Sequence, residues 1–188
     1  MGFNISWLAF HASGREAALR ALGLHLAGEP KPWPKTLISG TCLPDNTYLI
    51  FLNNCFHPLV TPQALASASG GSHIVGCQVA EAIMLSAAFC WRDGARLWNV
   101  THESEKGVRN LEVEGESPLE LAALRAAAEA SQKKERKFPL LPLPRWGIDH
   151  YFRVPIDLAG SVVGFEHDRV QYNWGKPMYE PLAEGAVS

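Results

Sequence analysis

No stretch of this chain approaches the ~20 consecutive apolar residues that span a bilayer. Its opening, "MGFNISWLAFHASG", has neither a basic start nor a long apolar run. No membrane span or secretory leader is therefore expected, and the cytoplasm is the expected compartment. Charge of one sign is scarce as well: a formal net charge of −2 supplies no global field for nucleic acid or anionic lipid, so neither partner is expected. The four cysteines, Cys42, Cys55, Cys77 and Cys90, include no Cys-x-x-Cys pair. In a reducing compartment they read as small buried apolar groups. The sequence also lacks His-Glu-x-x-His, Gly-x-Ser-x-Gly, a Walker phosphate loop and a dinucleotide fingerprint. No cofactor or metal is expected on that basis, although a site assembled from distant strands needs no local motif.

What is present is material for a core. Hydrophobic residues make up 47% of the 188 and charged residues 19%, which suits one well-buried domain. Alternation in "FNISWLAF" (3–10) predicts a strand. A helix over 14–22 follows, with Ser13 and Glu16 as a capping box and Gly23 as its stop. The proline-rich "GEPKPWPK" is a connecting loop. "TLISGTCL" and "TYLIFLNN" flank a turn as two strands, and the second is apolar enough to be central. Thr61 and Pro62 open a helix over 62–69 that Gly70-Gly71 end, and "SHIVGCQVA" is another strand.

In "AAFCWRDGARLWNVTHE" (87–103), Asp93-Gly94 predicts a two-residue type I′ hairpin turn, because both central residues need positive φ. Arg92 then faces Ala95 and Trp91 faces Arg96. Continued without interruption, this register pairs Phe89 with Trp98, Ala87 with Val100 and Leu85 with His102 on one face. "RNLEVEG" adds a third strand with Leu111 and Val113 inward and Asn110, Glu112 and Glu114 outward. Ser117, Pro118 and Glu120 open the strongest helix, 118–133, whose stripe of Leu121, Leu124 and Ala128 must cover a sheet. "KFPLLPLPRWG" is loop, "IDHYFRVP" reads as a late strand, and "IDLAGSVVGF" as a short helix starting near Pro155. The fold expected is α+β: a mainly antiparallel sheet of about six to eight strands with helices packed on one face. It forms a single domain over 1–173, and residues 174–188 are expected to be a mobile tail.

Three constellations carry candidate chemistry. His102-Glu103 ends a predicted strand and, with His57 or His167-Asp168, has the residue types of a metal or acid/base site. The alternative is that His102 tops an apolar face and bonds a neighbour. "CFHP" sets Cys55 two residues from His57, and a thiolate activated by imidazole is a nucleophile. "SGGSH" (69–73) loosely resembles an anion-cradling turn, although a helix stop explains its glycines. Trp91 and Arg96 are placed for a cation–π stack. Six tryptophans, among them Trp33, Trp146 and Trp174 in loops, suit an interface. Glu112 and Glu114 belong to an acidic stretch that would face a basic partner.

At "FNISWLAF", "CWRDGARLWNVTHE", "LEVEGE" and "VPIDLAGSVVGFEHD" the chain resembles a set of uncharacterised bacterial α+β proteins. Some small proteins of this kind serve as immunity proteins of polymorphic or type VI toxin systems. The resemblance brings no catalytic residues and implies a protein-binding role. The functional expectation is a cytoplasmic protein-binding module, of immunity or inhibitor type, that occludes a partner through Trp91, Arg96, Glu112, Glu114 and Trp146. The rivals are a small enzyme or metal-dependent hydrolase using a His/Glu site, and a self-associating structural subunit.

Overall fold

The computed structural model describes residues 2–137 and 148–185. Among these residues nine strands form one sheet: β1 (Asn4–His11), β2 (Leu24–Leu26), β3 (Ile38–Cys42), β4 (Tyr48–Leu52), β5 (His73–Ala80), β6 (Leu85–Arg92), β7 (Ala95–Glu103), β8 (Glu112–Gly115) and β9 (Glu180–Glu184). Their order is β2-β9-β3-β4-β1-β5-β6-β7-β8, and every neighbouring pair is antiparallel. The four helices among the described residues are α1 (Gly14–Leu22), α2 (Pro62–Ala68), α3 (Glu120–Lys137) and α4 (Arg153–Val163). The α+β class with a mainly antiparallel sheet is as the sequence predicts, with a strand count slightly above the expected range.

Each central strand is buried on both sides, and its alternation sorts residues between two cores. Ile5, Trp7 and Ala9 of β1 join Val75, Cys77, Ala88 and Val100 under α3 and α4. Leu8 and Phe10 join Tyr48, Ile50, Phe89 and Trp91 under α1 and α2. The helices thus divide between the two faces, α3 and α4 on one and α1 and α2 on the other, which corrects the expectation that they pack on one face. A sheet whose middle strands are apolar on both sides requires a layer on each.

Local signals account for most element ends. Gly23 caps α1 in the left-handed region, and the Thr61 hydroxyl accepts from Ala64 N–H at the start of α2. Ser13 caps nothing; its hydroxyl donates to the His11 carbonyl instead. Two segments differ from expectation. "IDHYFRVP" is not a strand: a 3-10 turn at His150–Phe152 runs directly into α4. The chain beyond residue 173 returns to the sheet as β9, inserted between β2 and β3. Without β9, Ile38 and Leu26 would lose the strand on which both pair, at Leu182.

The hairpin turn is as predicted, with Asp93 and Gly94 at φ 50° and 80°. Arg92 faces Ala95 and Trp91 faces Arg96, but a bulge then shifts the register, so Cys90 meets Trp98 and Ser86 meets His102. Phe89 and Trp98 consequently lie on opposite faces. Gly115 pairs with Trp98, and a Cβ there would meet the Leu97 carbonyl at 2.0 Å, so only glycine lets β8 approach the bulged backbone. Val113 lies opposite Val100 but stays 42% exposed, because β8 is the sheet edge.

Candidate functional site

A buried polar cluster sits where β7 meets the entry to α4. The one-residue shift turns His102 toward α4, beside Ser86. Its ring is fully buried. Nδ1 donates to the Asn110 carbonyl at 2.6 Å, and Nε2 faces the Asp149 carboxylate at 2.9 Å and the Ser104 hydroxyl at 3.1 Å. Ser104 also donates to Asp149. The other Asp149 oxygen accepts from the N–H groups of Tyr151 and Phe152 at 3.1 and 3.2 Å, capping the turn before α4. Burial pushes the Asp149 carboxyl up, but the hydrogen bonds from His102 and Ser104 outweigh it and hold the group below its ordinary value. Ser86 donates to the Phe152 carbonyl at 2.7 Å, tying β6 to the same point.

Serine, histidine and aspartate together invite comparison with a hydrolytic relay. That relay needs serine and carboxylate on opposite ring nitrogens. Here both meet Nε2, Nδ1 is occupied by a backbone carbonyl, and no ring edge reaches solvent. The arrangement suits a cross-link between strand and helix better than proton transfer.

The remaining candidates are scattered. Glu103 is paired with Lys106 at 2.8 Å; as the next residue on an extended strand it points away from His102, so the two are not brought together. His57 accepts from Leu59 N–H through Nδ1 at 3.3 Å and lies 3.9 Å from Glu184. Burial lowers its pKa, with Glu184 opposing. Cys55 lies in the loop after β4, and burial pushes its thiol up to about 11. No hydrogen bond joins it to His57 among the described residues. His167 sits edge-on to Phe3 at 4.6 Å, and Asp168 is paired with Arg153. The glycines of "SGGSH" end α2, and Gly71 N–H meets Asp93. Among the described residues no group of three or more His, Cys, Asp or Glu is positioned to hold a metal ion.

Of the expected binding residues, Trp91 is buried in the core under α2. Arg96 pairs with Glu114, and Glu112 with Lys106 at 3.0 Å. The one cation–π contact among the described residues is Arg169 over Tyr172, not Arg96 over Trp91. Trp146 lies outside the described residues. Trp33 is exposed, and Trp174 stacks on Tyr172 at 4.7 Å.

Asp149 and Ser104 were not legible as partners of His102. The available signal was an Asp just ahead of a segment with helical periodicity, the pattern of an N-cap. A second unforeseen pair is His73 and Cys90, with Nε2 at 3.0 Å from Sγ. Burial raises that thiol to about 11 and lowers the imidazole, which favours a neutral pair without a thiolate. Cys77 is raised further by full burial, whereas Cys42 is exposed. Ellman's reagent at pH 8 should therefore titrate one thiol in the native protein and all four in guanidinium. Fast reaction of a second thiol would show that Cys55 or Cys90 is accessible.

Comparison with protein-family models, with curated proteins and with solved structures finds no match to this chain.

Proposed function

We propose that this chain is a protein-binding module of the immunity or inhibitor type, working in the cytoplasm by occluding a partner at its β8 edge. The observation that carries the reading is that edge. Among the described residues β8 pairs only with β7, and all four of its residues are exposed. A free strand edge offers a row of backbone donors and acceptors to an incoming strand, and the side chains beside it select which strand binds. Glu112 and Glu114 select for a basic segment, while exposed Val113 and Leu97 supply apolar contact. Self-pairing through β8 is disfavoured, because an antiparallel copy centred on Val113 sets Glu112 against Glu114. That argues for a different chain as occupant and against the structural-subunit reading at this edge. Lys106 and Arg96 hold the two glutamates in place without removing the acidic excess of the 103–116 stretch. The metal-hydrolase alternative draws no support from His102 and Glu103, which diverge.

The test is affinity capture from the source cells with the wild-type chain and with E112K/E114K. A near-stoichiometric protein held by the wild type should bind the double variant at least about tenfold more weakly, because like charges placed across an interface cost several kcal/mol. Equal capture by both would overturn the β8 reading.

A further inference from the structure

At the opposite end of β1 from the His102 cluster, a cavity of about 300 Å³ opens between the last turn of α4 and the β3–β4 turn. That volume is at the low end of small-molecule sites, about 300–1,000 Å³, and limits the occupant to a small molecule. Its wall includes His11, Asp45, Thr47, Val163, Gly164 and Trp174.

The chemistry of the wall has one sign. Among the described residues Asp45 is the only charged one lining the cavity, and no cation among them pairs with it. Gly164 ends α4 in the left-handed conformation, and its N–H returns to the Gly160 carbonyl at 2.8 Å. The carbonyls of the final turn are left at the negative end of the helix. Trp174 is held in place by a column of rings: Trp7 against Phe165 at 5.6 Å, Phe165 against Tyr172 at 6.0 Å, and Tyr172 against Trp174 at 4.7 Å. An indole fixed in the same cavity wall as a carboxylate and a helix C-terminus attracts a cation by its ring quadrupole as well as by charge. His11 opposes none of this, since burial lowers its pKa and keeps the ring neutral. Its Nε2 is buried with no partner among the described residues, an unspent hydrogen-bonding group in the wall.

One residue beside the cavity is strained: Ala12 has a positive φ of 53°. Asp45 and Asn46, at 62° and 56°, are the central residues of the β3–β4 turn, where Asp and Asn accept positive φ. The two turns are knit together by Gly14 N–H to the Asn46 carbonyl at 3.0 Å and by Asn46 Nδ2 to the Ala12 carbonyl at 3.4 Å. A left-handed alanine is uncommon and costs of order 1 kcal/mol, the kind of strain that concentrates at ligand sites.

We infer that this cavity is a binding site for a small organic ammonium ion, recognised by the Asp45 carboxylate, the Trp174 ring and the C-terminal end of α4. The inference is independent of the β8 edge and shares no residue with it.

Tetramethylammonium chloride is the probe. It is titrated into the full chain carrying 15N-labelled tryptophan, with sodium chloride as the ionic-strength blank and neopentyl alcohol as a neutral molecule of similar shape. The Trp174 indole signal is assigned as the one missing from W174F. A saturable shift of that signal is expected, weakened at least about fivefold in D45N and for neopentyl alcohol. Asparagine tolerates the left-handed backbone of position 45, so D45N retains the turn. Three results would each overturn the assignment: no saturable shift, equal affinity in D45N, or equal affinity for the neutral molecule.

Discussion

Replacing His102 with alanine should cost about 3–5 kcal/mol of folding stability, among the largest losses any single substitution in this chain would produce. Two costs combine. The first is a cavity where a fully buried ring stood. The second is the loss of both hydrogen bonds from the ring, which leaves the Asn110 carbonyl and the 7%-exposed Asp149 carboxylate without that donor. Asp149→Asn tests the charge separately, because its amide oxygen can still cap Tyr151 and Phe152. Its effect should depend on pH in a direction fixed by the carboxyl. The folded-state pKa of Asp149 lies below its ordinary value, so the native state favours the carboxylate. The linked stability is present above the unfolded pKa, roughly 3.9, and is lost as pH falls through the lower folded value. Urea unfolding of wild type and D149N should therefore show a gap at pH 7 that narrows below about pH 4. A gap of unchanged size at pH 3 would mean that the group acts through shape and capping alone.

The elements around this cluster show which parts of the fold were readable in advance. The alternation of β1, the apolar runs of β4 and β5 and the Asp93-Gly94 turn depend on neighbours in sequence, and the structure has them where expected. The bulge at Leu97 does not. It inserts one residue to turn Trp98, Val100 and His102 toward α3 and α4, a demand made by helices that lie later in the chain. Because the side-chain period is two, that one residue moved every partner in the second half of the hairpin, His102 included. The helical outcome of "IDHYFRVP" has a similar origin. Tyr151, Val154 and Leu158 follow a helical spacing, but the aromatic and β-branched residues favour a strand when the segment is read alone. β2 and β9 are short and weakly patterned, and each is stabilised mainly by the other and by β3. The site suffered most. Asp149 and Ser104 are 45 residues apart, and only the corrected register and the α4 cap bring them to one imidazole.

Gly76→Val should be as disruptive as its strand propensity would suggest the opposite. Glycine inside a strand is weak, and valine is a strong strand former, so propensity alone predicts a gain of up to ~1 kcal/mol. Packing predicts a larger loss. Gly76 sits between Leu8 and Phe89 on the neighbouring strands. A Cβ there would lie 2.3 Å from the Phe89 ring and 2.9 Å from a Leu8 methyl. The ring of Phe89 rests across the glycine, as the ring of Tyr48 does across Gly40. Leu8 and Phe89 are both buried, and a central strand paired on each side cannot retreat. Overpacking of this kind costs about 1–3 kcal/mol and sometimes more, and the added methyls of valine put the net loss at roughly 2 kcal/mol or above. Phe89→Ala alone should cost about 3–5 kcal/mol through the cavity it leaves. The two changes occupy the same space, so the valine of G76V should fill part of what F89A vacates. The double variant is expected to lose at least about 1 kcal/mol less than the sum of the singles, read from urea unfolding of all four proteins. Additive losses would mean that ring and glycine are not packed against each other, and the clash would then lie with Leu8 alone.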